Sequence, residues 1–422
     1  MTAKRILLLT LALALLTMLG MGVTAQGDAV VVRMWTGSSS PAEDEALQTQ
    51  IAAFEEANPD VDVELLISPD YSTQVQAAFA SGDYPEVFSV GQFEFPSYHN
   101  AGLIAEGHDL ITEIDDIYPS LLEAFSVGDT AYCAPKDFST LALYYNRDAF
   151  DAAGVDYPTA DWTWEDMRAA AEAIATADVT NSEGEEMTGF SAQIDRNRWL
   201  AFLYANGAEL FNEESEVVFD SEEAVAALDF YASFVDDNIG AAPGDLGGSG
   251  WNGEAFGRGL AAMTVEGNWA IGYLESDFPE LNWGVAEIPT APSGEKGTLT
   301  FTVCWAVSSQ AEGEVADAAW RLVNFLTGPE GAEFVATSGF GVMPARASFG
   351  DMWLETRGEE FEPFVTGANY AVAPVFPLGY ADFTTALDEA TTAVLTGEED
   401  AGDALEDAAD VAREIQEEQA ES

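Results

Sequence analysis

Basic residues are scarce in this chain of 422 residues, which has 14 Lys and Arg against 75 Asp and Glu. Nucleic-acid phosphates and anionic membranes repel such a polyanion, so we exclude both as partners. Histidine is nearly absent, and neither His99 nor His108 stands in a metal-ligand or nucleophile motif. Since a P-loop and a Rossmann glycine fingerprint are also missing, we predict no cofactor, no metal and no His-based catalysis.

Long apolar runs are also rare. Residues 6–22 form such a run after Lys4 and Arg5, and small residues follow it up to Ala25. This is the layout of a cleavable secretory signal over residues 1–25, with cleavage near Ala25. A stop-transfer anchor is the alternative, because the run is borderline in length for a membrane span. No Cys follows the run to carry a lipid, so we expect a free protein, secreted or periplasmic.

Cleavage would make the net charge more negative, because it leaves 12 basic residues against 75 acidic ones, a net charge of −63. Only two lysines, Lys136 and Lys296, would then remain. In about 1 M salt the screening length falls to ~3 Å from ~8 Å at physiological strength, so brine tolerates a charge density that strains a fold in dilute buffer. We hypothesise a halophilic, high-salt protein. An acidic surface without a salt requirement is the rival.

Melting in dilute buffer and in molar salt separates these two interpretations. We expect the melting temperature to rise with salt, because screening weakens the repulsion among the carboxylates. Calorimetry of the protein without its signal would measure this, and an unchanged melting temperature would favour the rival.

Cysteine is the other rare residue. Cys133 and Cys304 can form one disulfide in an oxidising compartment. Two separate buried thiols remain the alternative, because sequence spacing does not give the distance between their Cα atoms.

The 397 residues after the signal suffice for two domains. Strand-like residues 29–35, 61–67 and 87–90 alternate with helical segments, the second of them at 71–81, which predicts a parallel α/β layer. The pattern resumes with a strand at 141–145 and a helix from Arg147 to Gly154. Thr163 begins another helix with a capping-box pattern. Further strands are predicted at 261–265, 283–288 and 299–308, and further helices at 198–206, 221–236, 316–326 and 381–416.

Several blocks, in this order, resemble one known family. They are residues 80–87 (ASGDYPEV), 134–146 (APKDFSTLALYYN), 150–154 (FDAAG), 162–166 (WTWED), 206–207 (NG), 256–263 (FGRGLAAM), 267–269 (GNW), 324–326 (NFL) and 343–346 (MPAR). The family is extracellular solute-binding protein family 1, the carbohydrate receptors of ABC importers. The resemblance spans nearly the whole chain after the signal.

The resemblance implies a type II periplasmic-binding-protein fold, in which hinge strands join two α/β lobes around a ligand cleft. The expected N-terminal lobe is 26–138 plus 302–342, and the C-terminal lobe is 139–301 plus 343–422 with the C-terminal helices. Hinge crossings would lie near 138–141, 302–305 and 341–344. A Cys133–Cys304 bridge would then lie near the hinge and limit its opening. The implied partners are a small carbohydrate and a membrane permease, and we expect a monomer.

A sugar has apolar C–H faces and a rim of hydroxyls, so its site needs aromatic platforms and directed polar groups. By the resemblance, Trp269 is the stacking platform, with a core anchor as its alternative. Ligands of α/β sheets bind at the carboxyl ends of strands. The residues predicted to bind from two such loops are Trp35, Thr36 and Ser38, then Gln92, Phe93 and Glu94.

The remaining candidates lie at the hinge crossings and after a Gly-rich loop. Asp137 and Ser139 flank the first crossing, and Trp305 lies in the second. Trp251 follows the Gly-rich loop at 245–250, and Arg346 follows the third crossing. Arg346 pairing with a surface carboxylate is the alternative to its binding a sugar.

The predicted function is capture of a carbohydrate by hinge closure, without catalysis. Within the receptor class a polyamine is the main rival ligand, because Glu94 and Asp137 could hold an amine in an aromatic cleft. An extracellular carbohydrate-active enzyme is the rival from another class. It would need a pair of catalytic carboxylates, and in so acidic a chain such pairs arise by chance.

Overall fold

The computed structural model describes residues 29–38, 41–212, 214–338, 341–374 and 380–421, so the predicted signal lies outside the described residues. The strands are β1 (Val30–Thr36), β2 (Val61–Ile67), β3 (Val87–Gly91), β4 (Ser126–Val127), β5 (Thr130–Ala131), β6 (Ala134–Asn146), β7 (Thr188–Ser191), β8 (Gly240–Ala241), β9 (Ala261–Gly267), β10 (Trp283–Ala286), β11 (Thr298–Val307), β12 (Met343–Pro344) and β13 (Ala371–Val372).

The helices pack against the strands and against one another. They are α1 (Pro41–Ala57), α2 (Tyr71–Ser81), α3 (Phe95–Asn100), α4 (Pro119–Glu123), α5 (Arg147–Ala153), α6 (Trp164–Thr176), α7 (Arg196–Ala205), α8 (Glu222–Asp236), α9 (Asn252–Gly257), α10 (Trp269–Asp277), α11 (Gly313–Thr327), α12 (Pro329–Thr337), α13 (Gly350–Arg357), α14 (Glu362–Gly367), α15 (Tyr380–Leu395) and α16 (Ala401–Glu421). Within the described ranges, no helix has the length and apolarity that a membrane span requires.

Local signals explain several helix bounds. Helix α2 ends at Gly82, whose φ of 77° lies in the left-handed region that glycine adopts without strain. Helix α6 begins with a reciprocal capping box between Thr163 and Asp166, as predicted. The predicted helical tail differs, because it divides into α15 and α16 around Gly397, which also has a positive φ of 72°.

Each lobe is built on its own set of parallel strands. In the first lobe β1 pairs in parallel with β2 and β3, and in the second lobe β7 pairs in parallel with β8 and β9. The sheet runs in the order β2-β1-β3-β11-β6-β9-β7-β8. The α/β prediction is therefore confirmed, with β11 and β6 as the antiparallel strands between the two parallel sets.

Strand β6 changes partners along its length, which joins the lobes. Its first half pairs with β11 and with β12, up to the pair Thr140–Thr300. Its second half, residues 141–145, pairs with β9. All residues of β6 except Lys136 are buried. The chain therefore crosses between the lobes inside the protein, near the first predicted crossing, while the predicted lobe boundaries themselves stay a prediction.

A disulfide joins Cys133 to Cys304, with their Cα atoms 5.7 Å apart. Both residues are fully buried in a small cluster with Val90, Phe88 and Phe95 of the first lobe. The alternative of two separate thiols is therefore wrong. The expectation that the bridge limits hinge opening stays a prediction.

Replacing both cysteines by alanine should lower the free energy of unfolding by about 2–4 kcal/mol, because the bridge closes a long loop and so restricts the unfolded chain. The two cysteines are 171 residues apart. Urea unfolding would measure the difference. A reducing agent should lower the stability of the parent protein toward that of the variant and leave the variant unchanged. Equal stability of the variant and the oxidised parent would contradict the prediction.

Candidate ligand cleft

A cavity of about 500 Å³ lies where the two lobes meet. The first lobe contributes the segments that follow β1, β2 and β3, which end at the same edge of the parallel sheet. The crossing strands contribute the first half of β6 and the centre of β11, and Trp269 at the start of α10 comes from the second lobe. The cavity therefore occupies the place where α/β sheets bind ligands.

Most of the predicted binding residues line this cleft, and additional residues join them. The predicted residues at its surface are Thr36, Ser38, Gln92, Phe93, Glu94, Asp137, Ser139 and Trp269. The further lining side chains with polar or aromatic groups are Glu43, Tyr71, Ser72, Ser89, Tyr98, Lys136, Phe301 and Thr302.

Three half-buried aromatic rings form a row across the cleft. The Phe93 and Phe301 ring centroids are 6.4 Å apart with an interplanar angle of 75°. The Phe301 and Trp269 centroids are 5.4 Å apart at 82°. Since Phe93 belongs to the first lobe, Phe301 to β11 and Trp269 to the second lobe, the row runs from one lobe to the other.

The neighbours of Trp269 fix the position of its indole. The Nε1–H donates a hydrogen bond of 2.9 Å to Oε2 of Glu266, and the other oxygen of this carboxylate accepts a bond of 2.7 Å from Arg198. The Arg198 guanidinium lies 5.9 Å from the indole centroid. The indole also lies against Gly267, where a Cβ would be 2.1 Å from a ring carbon. The first position of the Gly-Asn-Trp block at 267–269 thus requires glycine for steric reasons.

Glu266 is fully buried, so its charge depends on these partners. Burial raises the pKa of Glu266, and the positive charge of Arg198 opposes this increase. Arg198 also donates a bond of 2.9 Å to Asp195. Trp269 is therefore attached to a buried ionic network of the second lobe.

Some polar side chains of the cleft serve the fold. Gln92 donates to the carbonyl of Thr300 at 3.1 Å, and its side-chain oxygen accepts a bond of 2.9 Å from the amide of Thr302. These bonds hold the loop after β3 against β11. The hydroxyl of Thr36 donates to Ser89 at 3.0 Å, and Tyr71 donates to the Ser89 carbonyl. We therefore assign Gln92 mainly to shaping the cleft.

Carboxylates and one lysine supply the charges at the cleft surface. Lys136 donates a hydrogen bond of 2.7 Å to Glu43 and another to Asp137. Burial raises the pKa of Asp137, which the charge of Lys136 opposes. Glu94 is open to solvent on one side, and the protein atoms around its carboxylate still desolvate it enough to raise its pKa.

The sequence profile described as bacterial extracellular solute-binding protein matches residues 49–359. The chain belongs to this family. Among curated relatives, a binding protein of Brucella abortus is 25% identical over 400 residues, which are 92% of this chain and 94% of the relative. The multiple sugar-binding protein of Streptococcus mutans is 23% identical over 304 residues, 67% of this chain and 68% of the relative. Both alignments extend over most of each chain, which confirms the predicted resemblance.

Among solved structures, an ABC substrate-binding protein of Listeria monocytogenes in complex with cycloalternan superposes with a TM-score of 0.80. It is 26% identical and covers 92% of this chain and 99% of its own. Maltose-bound MalE3 of T. maritima superposes with a TM-score of 0.76 at 23% identity, over 92% of this chain and 100% of its own. These likenesses confirm the two-lobed α/β fold of this solute-binding protein.

Two hinge candidates of this solute-binding protein lie outside the cleft. Trp305 is buried in the core of the first lobe, four residues beyond Phe301 along β11. Arg346 is 1% exposed, and its guanidinium donates to the backbone carbonyls of Thr327, Glu113 and Thr112. The guanidinium also lies 3.6 Å from the exposed carboxylate of Glu113, so the predicted alternative of a pairing with a surface carboxylate is present beside its bonds to three loop carbonyls.

Two other tryptophans also lie elsewhere. Trp35 is half-buried beside Leu66, its partner on the edge strand β2, and does not line the cleft. Trp251 packs on Tyr273, with ring centroids 5.0 Å apart, and lies over Gly253. The Gly-rich loop therefore leads to a packing residue of the second lobe and not to the cleft.

Signals for the overlooked residues were present in the sequence. Tyr71 and Ser72 follow β2, so the strand-end rule applied to β1 and β3 also applies to them. Lys136 is one of two lysines after the signal and precedes a predicted site residue. Glu43 has no such signal, because only tertiary packing brings α1 to β6.

A second cavity, of about 950 Å³, also takes residues from both lobes. Leu122 and Asp129 of the first lobe and Tyr204 and Phe211 of the second are among its lining residues. None of the predicted binding residues lines this cavity, whereas eight of them line the smaller one.

Replacing Glu266 by alanine should lower the free energy of unfolding by about 3–5 kcal/mol, because it leaves the buried Arg198 charge and the Trp269 indole N–H without this partner. Urea unfolding followed by tryptophan fluorescence would measure the loss. Glu254 provides a matched control, since it pairs with Arg258 at 3.8 Å where both side chains are about one-third exposed. Its replacement by alanine should cost less than about 1 kcal/mol. Equal losses in the two variants would contradict the prediction.

Proposed function

We propose that this solute-binding protein is the substrate-binding component of an ABC transporter, which captures an extracellular mono- or oligosaccharide and delivers it to a membrane permease. The observation that carries the proposal is the row of Phe93, Phe301 and Trp269 in a cleft otherwise lined by hydroxyl and carboxylate groups. Apolar sugar faces stack on such rings, and sugar hydroxyls bond to such polar groups.

The similar proteins support a carbohydrate ligand. The relative from Streptococcus mutans is named for binding multiple sugars, and the Listeria monocytogenes structure contains cycloalternan. We propose a carbohydrate ligand for this chain as well, because its own cleft has the side chains that such a ligand requires. The experiment below would identify the sugar, its length and its linkage.

Capture would proceed by closure of the lobes around the ligand. Phe93 and Glu94 would contact it from the first lobe and Trp269 from the second, and the crossing strands β6 and β11 would carry the rotation. A ligand that contacts both lobes binds the closed form more tightly, so it shifts the population toward closure. The permease would recognise the closed shape.

We propose that the protein is a monomeric receptor outside the cell membrane, with the signal cleaved near Ala25, and that it catalyses no reaction. Its family and structural neighbours are substrate-binding transport proteins. A glycosidase would need one carboxylic acid and one carboxylate across a sugar bond. Asp137 and Glu43 instead bind the same ammonium group, which supports a binding role for this pair.

A polyamine is the second candidate ligand. The observation in its favour is that Glu43, Glu94 and Asp137 line the cleft with one lysine, so the formal charge of the lining is negative. The same carboxylates disfavour an anionic ligand such as a phosphate ester. We prefer the neutral carbohydrate because two of the three carboxylates already bind Lys136.

Melting in molar salt against sugars, polyols, polyamines and glycerol phosphates would test the proposal. A ligand at 100 times its Kd adds about 2.7 kcal/mol of stability, a shift that melting detects easily. We expect a shift with one sugar series. Trp269→Ala should then weaken binding of that sugar by roughly 10- to 100-fold, because it removes about 1.5–3 kcal/mol of apolar contact.

Trp251→Ala is the matched control, since this tryptophan lies outside the cleft and its loss should leave the affinity unchanged. Stabilisation by amines alone would replace the proposed ligand. Slow conversion of a sugar to product would move the protein into the enzyme class.

A further inference from the structure

Lysine is almost eliminated from this protein, yet one of the two lysines after the signal lies in the cleft. Lys136 stands near the start of β6, and its ammonium binds Asp137 of the same strand and Glu43 in the first turn of α1. The side chains of Lys136, Glu43 and Asp137 are only 13%, 18% and 10% exposed. We call these three residues the cleft triad.

The cleft triad places one cation between two carboxylates. Burial lowers the pKa of Lys136, but the charges of Asp137 and Glu43 outweigh this effect, so the net shift is upward and the ammonium stays charged. The ammonium also lies 6.0 Å from the centroid of the buried Trp305 ring, which favours a cation at this position. Without Lys136, the same pocket would hold two neighbouring carboxylates, and Glu94 would add a third.

Two buried carboxylates without a counter-charge form a site for an amine, because proximity and low solvation strengthen their attraction for a cation. A sugar hydroxyl differs from an amine in carrying no charge. It can donate to a carboxylate oxygen, which accepts more than one hydrogen bond, without displacing the ammonium. The position of the Lys136 ammonium therefore distinguishes between the two candidate ligand classes.

We propose that Lys136 is the specificity-determining residue that excludes cationic solutes from the cleft and keeps it selective for neutral polyhydroxyl ligands. The proposal rests on the proposed function, because it concerns the selectivity of the same cleft. Its ammonium occupies the place between Glu43 and Asp137 that a ligand amine would take. The chain has a net charge of −63 after the signal, which attracts cations in general. The Lys136 ammonium opposes this attraction inside the cleft.

The test compares Lys136→Met with the parent by titration calorimetry, using spermidine and the sugar that stabilises the parent. The lowest salt concentration that keeps both proteins folded should be used, because salt screens the effect. We expect the parent to bind the sugar and not spermidine, and Lys136→Met to gain at least tenfold in spermidine affinity. Lys296→Met is the matched control, since Lys296 pairs with Glu287 outside the cleft, and it should keep the parent selectivity.

Two further variants keep the test decisive if Lys136→Met does not fold. Lys136→Arg retains the cation and should retain exclusion of spermidine. The double variant Lys136→Met with Glu43→Gln restores the net charge of the cleft triad. It should therefore gain less spermidine affinity than Lys136→Met. If only the double variant folds, its gain over the parent should be less than tenfold.

The outcomes separate the two proposals. A folded Lys136→Met protein that binds the sugar and still rejects spermidine overturns the inference alone, as does a gain of spermidine binding by Lys136→Arg. If the parent binds no sugar, the proposed function itself fails. If the parent binds spermidine with Lys136 in place, the exclusion role is overturned as well.

Discussion

The pairing of β6 with β11 is the constraint on which both lobes and the cleft depend. Threonines at alternate positions of β11 strengthen it, since the hydroxyls of Thr298, Thr300 and Thr302 donate to carbonyls of β6 at 2.8, 3.3 and 2.8 Å. This face of β11 is buried, so each hydroxyl needs a partner, and each finds one on the neighbouring strand. Phe301 and Val303 alternate to the opposite face, and both line the cleft together with Thr302.

Most of the fold could be predicted from local patterns. Apolar periodicity and turn residues predicted the bounds that β2 and α2 have in the structure, and the Thr163 capping box predicted the start of α6. Strand β6 was predicted too short, because its first half contains Pro135, Lys136 and Asp137. The ammonium of Lys136 donates to Glu43, a long-range partner that no local pattern specifies.

The residues of the cleft were predicted less completely than the fold. The strand-end rule and the family resemblance together placed Thr36, Phe93 and Trp269 at one cavity, because these rules depend on topology. Trp305 and Arg346 lie outside the cavity, because nearness to a hinge in the sequence does not determine how deeply a side chain is buried. Arg346 is held by three backbone carbonyls that come from two distant segments, an arrangement visible only once those loops are folded.

The order of the central strands determines when the first lobe can be completed during synthesis. Strand β11 lies between β3 and β6 in the sheet, yet the chain reaches it only after β7, β8, β9 and β10. Until residues 298–307 are made, β3 lacks its neighbour on one side and Cys133 lacks its disulfide partner. An unpaired strand edge invites pairing with other chains, and β11 is the strand that covers this edge of β3. The lobe that begins the chain is therefore finished only after most of the other lobe has been made.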